Sequence, residues 1–159
     1  MWRAYPCCTA VLYGPMDSTV EPAPHLTGRC NCGAVQYEIT APLVSAGYCH
    51  CKRCQRRSGA GATANAVAQH GSVHILEGAS ALVAWDPGDG TFLKEFCGVC
   101  GSHLFARNPR DPFDRKVRLG PLDGDPGVRP ARHSFAAYAP AWEPIAENGL
   151  PRFDERPPA

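Results

Sequence analysis

Seven of the nine cysteines in this 159-residue chain lie in three short clusters. The clusters are Cys30-Asn31-Cys32, Cys49-His50-Cys51-Lys52-Arg53-Cys54 and Cys97-Gly98-Val99-Cys100. Cysteines two or three positions apart are poorly placed to form a disulfide with each other, but their sulfurs can turn toward one metal ion. Nearby glycines let the backbone curl around such an ion without a Cβ clash. The pattern therefore predicts zinc, which thiolates bind in tetrahedral sites.

The number of clustered cysteines predicts two unlike sites. Zinc takes four ligands, so seven cysteines divide into a set of four and a set of three. A site with four protein ligands is closed and structural. A site with three leaves one coordination position for water or substrate, as catalytic zinc does. We therefore expect two zinc ions per chain, one of them accessible to chemistry.

Spacing alone leaves two groupings of these cysteines open. In one, the Cys51/Cys54 pair joins the Cys97/Cys100 pair as a four-cysteine site. In the other, the Cys30/Cys32 pair joins Cys97/Cys100, which leaves a triplet of neighbouring cysteines. Local geometry favours the second grouping, because a triplet spanning six residues closes on one ion with little loop entropy. That open triplet consists of Cys49, Cys51 and Cys54.

The composition is short of large hydrophobic residues and nearly neutral. Leu, Val, Phe and Ile make up about 18% of the chain, below the roughly 20% typical of a globular core. The net charge of +1 argues against disorder driven by charge, and against nucleic acid or an anionic membrane as a partner. Structural zinc contributes roughly 10–16 kcal/mol of apparent binding energy to folding, so metal sites can hold a small core together.

The cysteines also bear on the compartment. The stretch Ala4–Tyr13 is broken by Pro6 and has no small-residue cleavage site, so it does not read as a signal peptide. No apolar run approaches the 18 or so residues of a membrane span. We expect a cytoplasmic protein whose thiols are kept reduced for metal. The sequence does not set its oligomeric state.

The chain divides into three parts by composition. We expect a loose N-terminal extension over residues 1–24, one zinc-binding domain over 25–153 and a C-terminal tail over 154–159 that trails over the surface. Met16 opens a stretch typical of a natural protein start, so residues 1–15 come from an upstream start codon or form a loose arm. Cys7 and Cys8 lie in that segment and receive no role.

Short strands dominate the predicted secondary structure. Val35, Tyr37 and Ile39 alternate with polar residues, the period-2 pattern of a half-buried strand. Turn-forming residues separate further candidates. These predicted strands are Val73–Leu76, Leu82–Trp85, Thr91–Phe96, His103–Ala106, Lys116–Leu119 and Ser134–Tyr138. Only Lys52–Ser58 is predicted to be helical.

The three cysteine motifs also carry a family resemblance. Gly28-Arg29-Cys30-Asn31-Cys32-Gly33, the second cluster followed by Ser58-Gly59, and Phe96-Cys97-Gly98-Val99-Cys100-Gly101-Ser102 occur in that order. Together they resemble the glutathione-dependent formaldehyde-activating enzyme family, which includes centromere protein V. The match runs from about Thr27 to Phe153 and includes softer late features, such as Pro130-x-x-His133 and Gly149-Leu150-Pro151-Arg152-Phe153.

The resemblance implies a mainly β fold, a β-tent of short antiparallel sheets held by zinc with one short helical turn. It implies structural zinc ligands at Cys30, Cys32, Cys97 and Cys100. It also implies a catalytic zinc on Cys49, Cys51 and Cys54. The implied activity is that of a carbon–sulfur lyase, in which glutathione or a similar thiol reacts with formaldehyde or another aldehyde to give an S-hydroxymethyl adduct.

Glutathione needs partners for its two carboxylates. Four basic residues follow the second cluster and are candidates for that role, although they could equally form a solvated helical face. These residues are Lys52, Arg53, Arg56 and Arg57. His50 lies between two predicted ligands and could complete the open site or support it from behind. His103 is an alternative ligand or a strand residue.

Two further functions use the same residues without catalysis. One is a zinc-held binding module that presents a sheet face to a protein partner. The other is a thiol sensor that releases zinc on oxidation. A labile metal displaced by glutathione favours the enzyme, inert metal favours the module, and reversible loss in peroxide favours the sensor.

Overall fold

A computed structural model describes residues 25–158, and the N-terminal extension with Cys7, Cys8 and the proposed start at Met16 lies outside that range. The elements of the described part follow in chain order. They are β1 (Leu26–Arg29), β2 (Gln36–Ile39), β3 (Ser45–Cys49), α1 (Lys52–Ser58), β4 (Thr63–Val67), β5 (Val73–Glu77), β6 (Leu82–Trp85), β7 (Leu93–Cys97), β8 (His103–Asn108), β9 (Asp111–Arg118), β10 (Pro130–Ser134) and β11 (Arg152–Phe153). The predicted mainly β fold is confirmed.

The strands form two sheets. A three-stranded antiparallel sheet has the order β1-β2-β5, and an eight-stranded sheet has the order β11-β10-β3-β4-β9-β8-β7-β6. The larger sheet is not wholly antiparallel, because β10 pairs parallel with both β3 and β11. Long connections permit such parallel pairs, whereas a tight hairpin would impose the antiparallel direction.

The core lies where the small sheet meets the large one. Val35, Tyr37 and Ile39 are fully buried, as their alternation with polar residues predicts. The ring of Tyr37 packs edge-on against Phe105 of β8, with centroids 4.7 Å apart and planes at 75°. Such edge-to-face pairs add to the burial of their own area, so this contact joins the two sheets.

The sequence predicts some strands better than others. The alternating or β-branched runs at β2, β5, β6, β7 and β8 are confirmed within two residues at each end. The prediction for Ser134–Tyr138 is wrong, because β10 ends at Ser134 and Ala136–Tyr138 forms a 3-10 turn. Phe135 marks the break, with a left-handed φ of 59° that a bulky residue rarely adopts.

Two central strands escape the sequence prediction. Strands β3 (SAGYC) and β4 (TANAV) are rich in small residues, which carry weak strand propensity. They pair with each other from Ser45–Val67 to Cys49–Thr63. Their small side chains leave room above the sheet, and the candidate site lies there.

The helix forms where it is predicted. Cys51 is the N-cap residue of α1, and its Sγ accepts a hydrogen bond from the Cys54 N–H at 3.4 Å. Gly59 ends the helix at φ 71°, a left-handed C-terminal cap that glycine adopts without strain. The cap residue and the first helical turn therefore carry two of the three neighbouring cysteines. No helix of residues 25–158 is long and apolar enough to cross a membrane.

Candidate metal centres and cleft

The first cluster joins two loops that are far apart in sequence. The Cys30 and Cys97 side chains are buried, with 2% and 0% exposure, and Cys32 Sγ lies 3.9 Å from Cys97 Sγ across 65 positions. The four ligand atoms all lie within 4.8 Å of one another. We call this group, Cys30, Cys32, Cys97 and Cys100, the four-cysteine cluster. Of the two groupings that spacing left open, the structure contains the second.

Hydrogen bonds hold both loops of the four-cysteine cluster in similar turns. The Cys30 carbonyl accepts from Gly33 N–H at 3.0 Å, and the Cys97 carbonyl accepts from Gly101 N–H at 2.8 Å. The Ser102 hydroxyl connects the turns, since it accepts from Asn31 N–H at 2.9 Å and lies 3.3 Å from Cys100 Sγ. Its hydrogen bond lowers the pKa of Cys100 to about 5, which favours the thiolate that binds metal.

The sulfur spacing of the four-cysteine cluster fits zinc. With Zn–S near 2.3 Å, the edge of a tetrahedron of sulfurs measures about 3.8 Å. The Cys30–Cys32 and Cys32–Cys97 sulfur pairs are 3.5 and 3.9 Å apart. Four cysteine sulfurs at this spacing form a closed donor set, so the cluster has the ligands and the size of a structural zinc site.

The second cluster is assembled from one short stretch of chain. Cys49 is the last residue of β3, Cys51 caps α1 and Cys54 lies in the first turn of the helix. Their three sulfurs lie within 4.8 Å of one another. We call this group the three-cysteine cluster. In residues 25–158, no His, Asp or Glu atom joins it as a fourth ligand.

The histidine between these cysteines is engaged elsewhere. His50 is buried, and its Nε2 lies 2.9 Å from Nδ1 of His133, which stacks on Tyr48. His103 does not complete the cluster either, and burial, with the charges of Arg57 and Arg118, lowers its pKa to about 4. The donor set is therefore three sulfurs with an open position, which fits a metal that also binds an exchangeable ligand.

The surroundings of the three-cysteine cluster favour negative charge on sulfur. Hydrogen bonds from the Cys49 and Cys51 thiols hold the pKa of Cys54 far below its ordinary value, and Thr63 and the charge of Arg118 act in the same direction. The neighbouring Cys51 and Cys54 raise the pKa of Cys49. The lowered pKa of Cys54 favours its thiolate, the form that binds a metal cation.

A cleft of about 450 Å³ opens above the three-cysteine cluster. Cys49, Cys51 and Cys54 line it together with the small residues of β3 and β4, among them Ala46, Gly47 and Ala66. Gly47 leaves space for the Arg132 side chain, since a Cβ at this position would lie 3.1 Å from Cγ of Arg132. The cleft is the size of a small-molecule pocket, and all three cysteines of the cluster line it.

The wall of the cleft is strongly cationic. Six basic side chains line it and no carboxylate does. Five of the six make no ion pair with any described residue, whereas Arg53 pairs with Asp89 at 2.6 Å. The five are Lys94, Lys116, Arg118, Arg132 and Arg156. A one-sided charge of this kind raises the local concentration of anions.

Arg118 is the deepest of these cations. Its side chain is 8% exposed, and Nη1 donates to Thr63 Oγ1 at 2.7 Å and also to Asn65 Oδ1. Its Nε is buried without a hydrogen-bond partner among the described residues. Since an unsatisfied buried donor costs about 1–3 kcal/mol, an anionic ligand in the cleft would relieve that cost.

The four predicted glutathione anchors separate in the structure. Arg53 lines the cleft but already binds Asp89 and Thr91, and Lys52 donates to Gln55 at 3.0 Å. Arg56 and Arg57 line a second groove beside Trp85 and Phe96, which Arg53 also reaches, and the Arg57 guanidinium lies 5.6 Å from the Trp85 ring. Their role as anchors stays a prediction.

Sequence reasoning missed the five cations without ion pairs. They come from β7, β9, β10 and the C-terminal segment, so no single stretch of sequence contains all five. The alternation in β9 offered the only local signal, because Lys116 and Arg118 share one face of a strand. The C-terminal segment, expected to trail over the surface, is largely exposed and places Arg156, Pro157 and Pro158 along the cleft.

Comparison with known proteins fits this geometry. The sequence model of the family described as glutathione-dependent formaldehyde-activating enzyme matches residues 25–138. The chain belongs to this family. A curated Halomonas elongata protein, whose name assigns it to the same family of enzymes, is 26% identical over 130 residues, which covers 76% of this chain and 80% of that protein.

A solved structure supports the fold of this family member. A crystal structure of a Rhodobacter sphaeroides protein aligns with a TM-score of 0.53 at 22% identity, covering 79% of this chain and 98% of that one. At this identity the likeness shows the fold alone. Family membership supports an enzyme that acts on glutathione and formaldehyde, and the two cysteine clusters could hold its metal ions.

Proposed function

We propose that this family member is a zinc-dependent carbon–sulfur lyase that joins a glutathione-type thiol to formaldehyde or a similar small aldehyde. The reaction takes place at the three-cysteine cluster. The observation that carries the proposal is the three-sulfur donor set at the floor of a cationic cleft. The four-cysteine cluster, in contrast, has its complement of ligands and serves the fold.

Each cluster would hold one zinc ion. Cys30, Cys32, Cys97 and Cys100 supply four sulfur ligands for the structural ion. Cys49, Cys51 and Cys54 supply three for the second ion. Zinc held there would lower the pKa of a substrate thiol below its free value of about 8.5.

The protein's own residues bind and orient the thiol substrate. Arg118 and Lys94 lie in the cleft beside Cys54, and the buried Nε of Arg118 offers a free donor to a carboxylate. Arginine binds carboxylates through a planar fork of donors, which fixes direction as well as charge. The predicted anchors Lys52, Arg53, Arg56 and Arg57 would then extend this positive surface around α1.

The reaction itself is an addition that balances without any redox partner. The sulfur of the thiol forms a bond to the carbonyl carbon of the aldehyde, and the C=O π bond breaks. The proton lost by the thiol ends on the carbonyl oxygen, which gives the S-hydroxymethyl product. Holding thiol and aldehyde together replaces a bimolecular encounter by a reaction within one complex, and the same groups serve the reverse cleavage.

The test combines a metal count with a rate measurement. We expect two zinc ions per chain and a rate of glutathione–formaldehyde exchange above the uncatalysed rate, measured by NMR exchange with ¹³C-formaldehyde. Adding glutathione should change the environment of one zinc only, seen by X-ray absorption at the zinc edge. Two inert ions with no effect on exchange would refute the proposal and favour a binding module. Reversible zinc release in peroxide, again with no exchange activity, would favour a sensor.

A further inference from the structure

The C-terminal segment is fastened beside the cleft by its own contacts. The Glu155 carbonyl accepts from Phe135 N–H at 3.1 Å, and its carboxylate accepts from Tyr138 Oη at 2.8 Å. Strand β11 precedes this segment and pairs with β10 at the edge of the large sheet. These contacts fix the direction in which the next residues, Arg156–Pro158, continue along the cleft.

Three cations meet where this segment reaches the cleft. We call Lys116, Arg132 and Arg156 the outer triad. Burial lowers the pKa of Lys116, and the charges of Arg156 and Arg132 act in the same direction, while Asp114 and Cys49 oppose them. Lys116 Nζ lies 4.5 Å from the centroid of the Phe92 ring. No member of the triad makes an ion pair with a described residue.

The chain makes specific provision for this triad. The absence of a side chain at Gly47 lets the Arg132 side chain lie across β3, where a Cβ would come within 3.1 Å of its Cγ. Phe135 adopts a left-handed conformation, and its N–H donates to Glu155. Asp114 offsets only part of the repulsion felt by Lys116. Three like charges gathered in this way repel one another, and a bound anion would lower that cost.

We infer that the outer triad binds a second anionic group of the thiol substrate, and that Arg156 is a specificity-determining residue delivered by the C-terminal segment. This inference rests on the proposed function. The substrate class is then a thiol with carboxylates at two places, one held near Arg118 and one held at the triad. Short thiols with a single carboxylate, such as 3-mercaptopropionate, would lack the second contact.

The test measures binding, so it does not depend on turnover. The probe is S-methylglutathione, which keeps both carboxylates and cannot react with aldehyde, titrated by calorimetry into the zinc-loaded full chain. We expect Arg156→Ala to weaken binding about tenfold, the effect of losing one charge-assisted hydrogen bond. Arg110→Ala removes an exposed arginine that does not line the cleft and should leave the affinity unchanged.

Two esters of the probe identify the contact. The first probe is the ethyl ester of the glycine carboxylate. The second is the ethyl ester of the glutamyl α-carboxylate. The tenfold effect of Arg156→Ala should disappear against one ester and persist against the other. Tyr138→Phe, which loosens the segment but keeps Arg156, should show the same ester preference with a smaller loss.

The outcomes separate the two proposals. Three results would each overturn the role of the triad. They are an equal loss of affinity for both esters in Arg156→Ala, an affinity of Arg156→Ala equal to that of Arg110→Ala, and no binding of the probe to the unaltered chain. Absence of thiol–aldehyde exchange in a chain that still shows the ester-selective loss would instead refute the proposed reaction and leave the anion site standing.

Discussion

The two cysteine clusters present the same donor atom in opposite settings. The four-cysteine cluster joins turns 65 positions apart, and two of its sulfurs are buried in the core. The three-cysteine cluster lies within six consecutive residues at the floor of an open, cationic cleft. A metal that closes a long loop restrains the unfolded chain strongly, whereas one that closes a short loop restrains it little. We therefore expect the four-cysteine cluster to determine the stability of the fold and the three-cysteine cluster to determine activity.

The largest effect should come from Cys97. Replacing Cys97 by Ser should leave the chain unfolded already at 25 °C, so that heating shows no cooperative transition. Structural zinc contributes roughly 10–16 kcal/mol, which is as much as or more than the whole stability of a typical domain. Circular dichroism during heating measures this. Cys97→Ala is the control, because it buries no hydroxyl, and it should also leave the chain unfolded. A melting temperature like that of the unaltered chain would contradict the structural role.

The matching change in the other cluster should spare the fold. Cys51→Ser removes a sulfur but keeps an N-cap residue that helices favour. We expect activity to fall by more than the roughly 100-fold that partners of metal ligands already cost, with little change in melting temperature. Exchange kinetics and calorimetry measure the two effects. Surviving turnover would show that the cluster is not the reaction site.

A third change tests the support of the three-cysteine cluster. Thr63→Val removes the hydroxyl that accepts from Arg118 and keeps a side chain suited to strand β4. We expect turnover to fall about tenfold, while zinc content stays the same. Metal analysis beside exchange kinetics tests this, and loss of zinc without a change in turnover per bound metal would argue against it.

The smallest effect should come from the corresponding hydroxyl beside the four-cysteine cluster. Ser102→Ala removes the link between the Asn31 N–H and Cys100 Sγ. We expect a loss of about 1 kcal/mol in unfolding free energy, the value of one hydrogen bond, and unchanged turnover. Urea denaturation measures the first. A fall in turnover as large as that of Thr63→Val would remove the distinction between the clusters.

Local sequence patterns predict much of the secondary structure. The helix predicted over Lys52–Ser58 matches α1 to the residue, and alternation predicts the buried face of β2. The prediction fails at Phe135, where the chain turns through a left-handed residue with no sequence sign. It also misses β3 and β4, because small residues form strands only when neighbouring strands supply the hydrogen bonds.

The sequence by itself determined the donor atoms and their division into four and three, because metal binding within a short motif depends on how many residues separate its cysteines. Only the tertiary structure decided which side chains surround the open trio. Lys94, Arg118, Arg132 and Arg156 meet there because sheet order places β7, β9, β10 and the C-terminal segment around one cleft. Strand pairing across long separations sets that order, and no local pattern encodes it.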